Sequence, residues 1–153
     1  MSQPLMIDTH CHLNFERYNE DREAIIQSAI DTHVTRIIIP AVDAASCRQA
    51  LALAHKHTGI YAASGVHPNS TQDFDDATLA DIADLASQPK IVAIGEIGLD
   101  YHWDKSPKSA QRQVFEAQLT LAAERELPVI IHNREASEDV MDVLEAWVRD
   151  LPE

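Results

Sequence analysis

An α/β fold built on a parallel sheet is the fold class that this sequence predicts. Short apolar segments alternate with longer helical segments along the chain, and this alternation is typical of parallel strands joined by right-handed crossovers. The apolar run Ile37-Ile38-Ile39 is rich in β-branched residues, as in strands that are buried on both faces of a sheet. Polar residues able to do chemistry follow the apolar segments, where parallel α/β proteins place their sites.

The strands are predicted from short apolar runs and from the residues that end them. The first run leads into a His-x-His pair, and the second ends at Pro40. The third enters the turn Gly65-Val66-His67-Pro68. The fourth ends at Gly95, and the fifth begins at Pro128. In chain order these strands cover residues 5–12, 36–40, 60–64, 91–94 and 128–132.

The helices are predicted between the strands, from longer stretches in which apolar residues recur at helical spacing. They cover residues 20–32, 43 or 44 to 57, 75–87, 109–126 and 137–149. No linker or low-complexity segment interrupts this order, so we expect a single domain over residues 1–153.

The composition narrows the classes of function. With 153 residues, of which 45% are hydrophobic, the chain can bury a core. Its net charge of -13, from 25 acidic and 12 basic residues, argues against binding duplex nucleic acid through a basic surface. An enzyme that holds a phosphate through metal ions and a few arginines stays compatible with this charge.

The expected location is the cytoplasm. The chain has two cysteines, Cys11 and Cys47, which suggest no disulfide framework. No stretch approaches the roughly 18–20 apolar residues that span a bilayer, so no membrane partner is expected.

The segment Asp8-Thr9-His10-Cys11-His12 carries the first candidate metal ligands. Because side chains alternate along a strand, Asp8, His10 and His12 are expected to point the same way. Two imidazoles two residues apart, backed by a carboxylate, form half of a site for zinc or a related divalent ion. Two ordinary histidines beside a turn are the alternative interpretation of this pair.

Three further residues at strand ends extend this candidate site. Glu96 lies between two glycines, and a carboxylate there can bridge two cations about 3.5–4 Å apart, as in two-metal hydrolysis. A capping or salt-bridged acid is the alternative. His132 is expected to be a ligand of the second metal, with a satisfied core histidine as the alternative. Asp100 is expected to orient a ligand or to cap the following loop.

Candidate substrate contacts follow the same strands. Arg134 suits a phosphate or a carboxylate, because its planar fork binds such groups bidentately, although a surface ion pair with a neighbouring glutamate is equally compatible. His67 is expected to line the cleft or to contact phosphate, unless it is a turn histidine without function. Tyr101 and His102, together with Trp103, could stack on a substrate group or hydrogen-bond to it.

The predicted chemistry is hydrolysis by a metal-activated water, with Glu96 as the central catalytic residue. Two bridged cations would lower the pKa of a water between them and neutralise charge on a phosphoryl or acyl oxygen. The sequence has no Gly-x-Ser-x-Gly elbow and no Gly-rich phosphate loop, so nothing suggests covalent catalysis.

Four motifs together resemble the TatD family of metal-dependent hydrolases, within the amidohydrolase-like barrels. In family order they are Asp8-Thr9-His10-Cys11-His12, Gly65-Val66-His67-Pro68, Gly95-Glu96-Ile97-Gly98-Leu99-Asp100-Tyr101 and Leu127-Pro128-Val129-Ile130-Ile131-His132. The resemblance implies a parallel (βα) barrel of the TIM type and a metal-dependent deoxyribonuclease that often works from 3′ to 5′. DNA, single-stranded or at its 3′ ends, would be the substrate.

The resemblance also implies the ligand sets of two divalent ions, which would be Mg, Mn or Zn. His10, His12 and Glu96 match ligands of the first metal, and Glu96 and His132 match ligands of the second. Apart from the resemblance, the side chains themselves make Asp100, His67, Tyr101, His102 and Arg134 the expected substrate contacts.

A full barrel requires about 250 residues, whereas this chain ends after the fifth βα unit. We therefore expect a truncated form, the first five units of a (βα)8 barrel, which lacks later metal ligands and has little activity alone. An apolar strand at an open sheet edge invites pairing with another chain, so self-association through the edges is also expected.

Two alternative functions are also compatible with the sequence, one enzymatic and one not. One is an amidohydrolase-type enzyme that cleaves a small amide, ester or lactone, although Glu96 stands at the strand end where a bridging carboxylated lysine would favour that chemistry. The other is a non-catalytic fragment whose exposed edges bind a partner; the early end of the chain favours it, but the unbroken set of ligand residues within these five units argues against selection for binding alone.

Overall fold

The computed structural model describes residues 4–103 and 105–151, and within them strands and helices alternate. The strands are β1 (Met6–Asp8), β2 (Val34–Pro40), β3 (Ile60–Ser64), β4 (Ile91–Asp100) and β5 (Val129–Arg134). The helices are α1 (Arg22–Asp31), α2 (Ala44–Lys56), α3 (Asp76–Ala86), α4 (Lys108–Glu124) and α5 (Ser137–Asp150). Two single-turn 3-10 helices lie at Glu16–Tyr18 and Pro68–Ser70.

Every strand of the sheet pairs in parallel with the next strand along the chain. The strand order is therefore β1-β2-β3-β4-β5, and β1 and β5 are its edges. This order is that of a singly wound (βα) barrel, whereas in doubly wound folds the strand order reverses at a switch point. The predicted α/β fold, with parallel strands of the barrel type, is confirmed.

The helices cover one face of the sheet more completely than the other. Ile37 and Ile39 of β2 pack with α1 and α2 in one buried cluster, while Ile38 between them is only half-buried. A second cluster joins β4 to α3, α4 and α5 around Phe115. Full burial of one such side chain contributes about 1.5–3 kcal/mol to stability. The prediction that β2 is buried on both faces is thus met on one face and only in part on the other.

None of the helices in residues 4–103 and 105–151 is both long and apolar enough to cross a bilayer.

Three strand ends differ from the prediction, and all three lie at the carboxyl edge of the sheet; β5 ends at Arg134, two residues beyond the predicted end at residue 132. β1 ends at Asp8 rather than His12, because the Asp8 carboxylate accepts the backbone N–H of His10 at 3.0 Å and turns the chain. β4 continues to Asp100 rather than stopping at residue 94, because residues 97–100 pair with residues 131–134 of β5. The register shifts between Gly95 and Ile97, and such a bulge re-aims the intervening side chain.

Candidate metal centre

His10, His12 and Glu96 form the first candidate metal group. Nε2 of His10 lies 3.3 Å from Nε2 of His12, and Oε2 of Glu96 lies 3.3 and 3.4 Å from these two nitrogens. Ligand atoms at about 2.0–2.1 Å from a tetrahedral zinc ion are about 3.3–3.4 Å apart from one another. The three donor atoms therefore form a triangle of the size that one divalent cation requires.

The chemistry of this group also fits a cation. All three of these atoms carry a lone pair that a cation can accept. A proton on one histidine nitrogen would form a hydrogen bond to only one of the other two atoms, whereas a cation can bind all three. The ring of His12 is held by stacking on Phe15, with 4.6 Å between ring centroids and 14° between planes. His12 is therefore oriented by packing before any ion binds.

Glu96 connects this first group to His132. Its side chain is buried, and while Oε2 faces the two histidines of the first group, Oε1 lies 2.7 Å from Nδ1 of His132. One carboxylate thus offers an oxygen to each side. A carboxylate placed in this way could offer one oxygen to each of two cations.

His67, Asp100 and His132 form the second candidate group. Nε2 of His67 lies 3.2 Å from Nδ1 of His132, and Nε2 of His132 lies 3.0 Å from Oδ2 of Asp100. Asp100 is only 1% exposed, and its Oδ1 accepts the backbone N–H groups of His102 and Trp103. Asp100 therefore contacts His132 and caps the loop that follows β4, whereas the sequence suggested either a ligand-orienting role or the cap and did not identify His132 as the partner.

Asn69 fixes the tautomer of His67. The backbone N–H of Asn69 donates to Nδ1 of His67 at 3.0 Å, so Nδ1 carries no proton and the neutral ring carries its proton on Nε2. The side-chain amide of Asn69 also donates to Oδ2 of Asp100 at 3.0 Å. His67 consequently directs an N–H donor, rather than a free lone pair, towards the space beside His132 and Glu96.

The pKa values follow from burial and from these contacts. Burial alone would raise the pKa of Glu96, but hydrogen bonds from His12 and His132 outweigh it and hold that pKa well below its usual range. Burial, followed by the neighbouring His132, lowers the pKa of His67 to about 4. Burial would also lower the pKa of His132, but Glu96 and Asp100 raise it. At neutral pH Glu96 is therefore charged and His67 is neutral.

The remaining predicted substrate residues lie in and beside the loop after β4 rather than in either candidate metal group. Tyr101 donates its hydroxyl to a carboxylate of α5, and burial together with this hydrogen bond raises its pKa to about 12. Nδ1 of His102 lies 2.8 Å from a carboxylate oxygen of Glu135. The guanidinium carbon of Arg134 lies 5.4 Å from the ring centroid of Trp103.

Sequence reasoning missed two buried glutamines of α4 that hold the backbone at the site. Gln118 accepts the N–H of Val66 at 2.7 Å and donates to its carbonyl at 3.1 Å, next to His67. Gln111 makes the same pair of bonds with the backbone of Asp100, at 2.8 and 3.0 Å. The two glutamines are seven residues apart on the otherwise apolar face of α4, and a polar residue at such a position is the signal that could have found them.

Replacing Gln118 by methionine is expected to lower the free energy of unfolding by about 2–6 kcal/mol. The thioether leaves the buried N–H and carbonyl of Val66 without partners, at about 1–3 kcal/mol each. Urea denaturation measures the change. Gln113→Met is the matched control, because Gln113 lies on the exposed face of the same helix, and it should change stability by less than about 0.5 kcal/mol. Equal stability of the two variants would contradict the role of Gln118 in holding the backbone of Val66.

Comparisons with known proteins agree with this fold. Residues 7–151 match the family described as TatD related DNase. The chain is 46% identical over 140 residues to the uncharacterized metal-dependent hydrolase YabD of Bacillus subtilis, covering 92% of this chain and 55% of that protein. It is 35% identical over 147 residues to the 3′-5′ ssDNA/RNA exonuclease TatD of Escherichia coli K12, covering 96% of this chain and 56% of that protein.

A solved structure gives the same result. The crystal structure of YJJV, a TatD homologue from Escherichia coli K12, superposes with a TM-score of 0.87 at 37% sequence identity. The alignment covers 96% of this chain and 57% of that one, so the chain spans about half the length of the relatives it matches. The family match over residues 7–151 extends from β1 to the end of α5 and includes both candidate metal groups. The chain belongs to the TatD family of metal-dependent hydrolases.

Proposed function

We propose that this chain carries the cation-binding part of a metal-dependent phosphodiesterase that shortens single-stranded DNA from its 3′ end. The observation that supports this most strongly is the position of Glu96, whose two oxygens face His10 and His12 on one side and His132 on the other. A carboxylate shared between two sets of imidazoles suits a pair of divalent ions. Several relatives are named 3′-5′ ssDNA/RNA exonucleases, which supports this substrate class.

The ligands follow from the two groups. His10, His12 and Glu96 would hold the first ion, and Glu96 with His132 would hold the second. Imidazole and carboxylate together suit Zn, Mn and, less well, Mg. Divalent ions at such positions supply Lewis acidity, which polarises a phosphoryl oxygen and lowers the pKa of water.

The chain's own side chains would orient the substrate. His67 would donate its Nε2–H to a non-bridging phosphate oxygen, because the backbone of Asn69 fixes that tautomer. Arg134 would contact a second phosphate through its guanidinium group. Asp100 would act through His132, whose ring it holds, rather than by touching the phosphate itself. The roles of Tyr101 and His102 as substrate contacts, the cytoplasmic location, self-association through β1 and β5 and the low activity of this form stay predictions.

Removing divalent ions tests this proposal. EDTA is expected to abolish the release of mononucleotides from a 5′-labelled single-stranded 20-mer, and added Mn²⁺, Mg²⁺ or Zn²⁺ is expected to restore it. Products resolved on a sequencing gel should shorten stepwise from the 3′ end, and equilibrium dialysis should give two ions per chain. Hydrolysis that persists in EDTA, internal cuts as the first products, or a chain that binds no divalent ion would each contradict the proposal.

A further inference from the structure

We infer that Trp103, Lys105 and Arg134 form a stacking platform for a base of single-stranded nucleic acid beside the candidate metal centre. We call these three residues the Trp103 platform. The inference rests on the proposed function, because it names how the same substrate would be gripped. It adds a binding surface that lies outside both candidate metal groups.

The first observation is an exposed aromatic ring with cations next to it. Trp103 is 48% exposed, and its ring centroid lies 5.4 Å from the guanidinium carbon of Arg134 and 6.0 Å from Nζ of Lys105. The chain has only 12 basic residues and a net charge of -13. The two cations beside this exposed indole place positive charge where a phosphate backbone would run beside a stacked base.

The second observation is how this ring is tied to the metal centre. The backbone N–H of Trp103 donates to Oδ1 of Asp100 at 3.1 Å, and Oδ2 of the same carboxylate lies 3.0 Å from Nε2 of His132. Arg134 follows His132 by two residues in β5, so both side chains belong to the same side of that strand. One buried carboxylate therefore sets the position of the platform relative to a candidate metal ligand.

Two of the acidic groups that the structure describes near the platform already have partners. Glu135, which follows Arg134, has a carboxylate oxygen 2.8 Å from Nδ1 of His102. The hydroxyl of Tyr101 bonds to Asp139, and Nζ of Lys108 lies 3.8 Å from the Tyr101 ring centroid. A third cation thus lies near Tyr101, two residues before Trp103 in the loop that leads into the platform.

The occupant that this chemistry favours is a single strand rather than a duplex. An unpaired base can leave its neighbours and stack on an exposed indole, whereas bases in a duplex are already stacked and paired. Duplex binding depends on neutralising many phosphates, which a chain of charge -13 is poorly suited to do. The platform would hold a base a short distance along the strand from the scissile phosphate.

The test measures binding by the 153-residue chain, without turnover. The probe is a fluorescein-labelled octathymidylate with phosphorothioate linkages, followed by fluorescence anisotropy in Mg²⁺. Trp103→Ala is expected to raise Kd about tenfold, since the stacking of one base is lost. Trp103→Phe should recover most of the affinity. Trp147→Phe is the matched control, because Trp147 packs against the core cluster on α5, and its Kd should equal that of the wild type.

A second probe separates stacking from charge. An octamer in which tetrahydrofuran abasic units replace the bases is expected to bind the wild type about tenfold more weakly than octathymidylate, with no further loss in Trp103→Ala. Equal affinity of wild type and Trp103→Ala for octathymidylate would overturn the platform, as would tight binding of the abasic octamer or no binding of either probe. Trp103-dependent binding by a chain that binds no divalent ion would support the platform and overturn the proposed function, so the two failures are distinguishable. Circular dichroism of Trp103→Ala, which changes an exposed side chain, confirms that the variant is folded.

Discussion

Replacing Glu96 by alanine is expected to abolish cation binding at both candidate positions and to remove any metal-dependent hydrolysis. Among the residues that the structure describes, Glu96 is the one carboxylate whose oxygens face His10 and His12 on one side, at 3.3 and 3.4 Å, and His132 on the other, at 2.7 Å. Loss of a partner that only orients a ligand costs about 10–100-fold in metal affinity, so loss of a shared ligand should cost at least about 100-fold. Isothermal titration with Zn²⁺ or Mn²⁺ measures both sites.

Two further variants show whether the loss of cation binding comes from the lost carboxylate or from a general loss of stability. Glu96→Gln keeps the shape but replaces one oxygen by an N–H₂ donor, so it should bind cations more weakly than the wild type. Glu145→Gln makes the same change at an exposed position of α5 and should leave both cation affinities unchanged. If Glu96→Ala still bound two ions per chain, the assignment of the metal centre would be wrong.

Much of the site could be predicted because its residues follow strand ends. The alternation of apolar strands with helices gave the parallel order, and parallel order brings the carboxyl ends of the strands to one edge of the sheet. The pair His10 and His12 meets as expected, although it does so in a turn stabilised by Asp8 rather than along a strand. The prediction that His10 and His12 meet therefore depends on their position after the first strand and not on the exact residue at which β1 ends.

The contacts that sequence reasoning missed depend on strand register and on packing across the chain. Asp100 meets His132 only because β4 continues beside β5 with a register shift next to Glu96, and no local pattern reports that shift. The hydrogen bonds of Gln118 to the backbone of Val66 join residues 52 positions apart. The contact between Arg134 and Trp103 likewise joins β5 to the loop after β4. Pairings of this kind are set by tertiary structure, whereas helix and strand periods report only one element at a time.

Replacing Gly98 by alanine is expected to destabilise the fold by at least about 2–3 kcal/mol and to weaken cation binding through His132. Gly98 has φ of 141° and pairs with His132 across β4 and β5. A Cβ at this position would lie 2.0 Å from the backbone carbonyl oxygen of His132, so the two strands must separate. The positive φ adds strain of about 1–3 kcal/mol for any residue with a side chain.

Gly59→Ala is the control that separates damage to the fold from damage to the site. A Cβ at Gly59 would lie 2.5 Å from the carbonyl oxygen of Thr35, just before β3 begins, so this variant should also be destabilised. It lies at the opposite end of the parallel strands from His132, and we expect its cation affinity to equal that of the wild type under conditions where it is folded. Urea denaturation and isothermal titration, measured on both variants, give the two effects separately. If both variants lost cation affinity equally, the loss would reflect the fold alone, and the contact between Gly98 and His132 would have no specific part in holding the metal ligand.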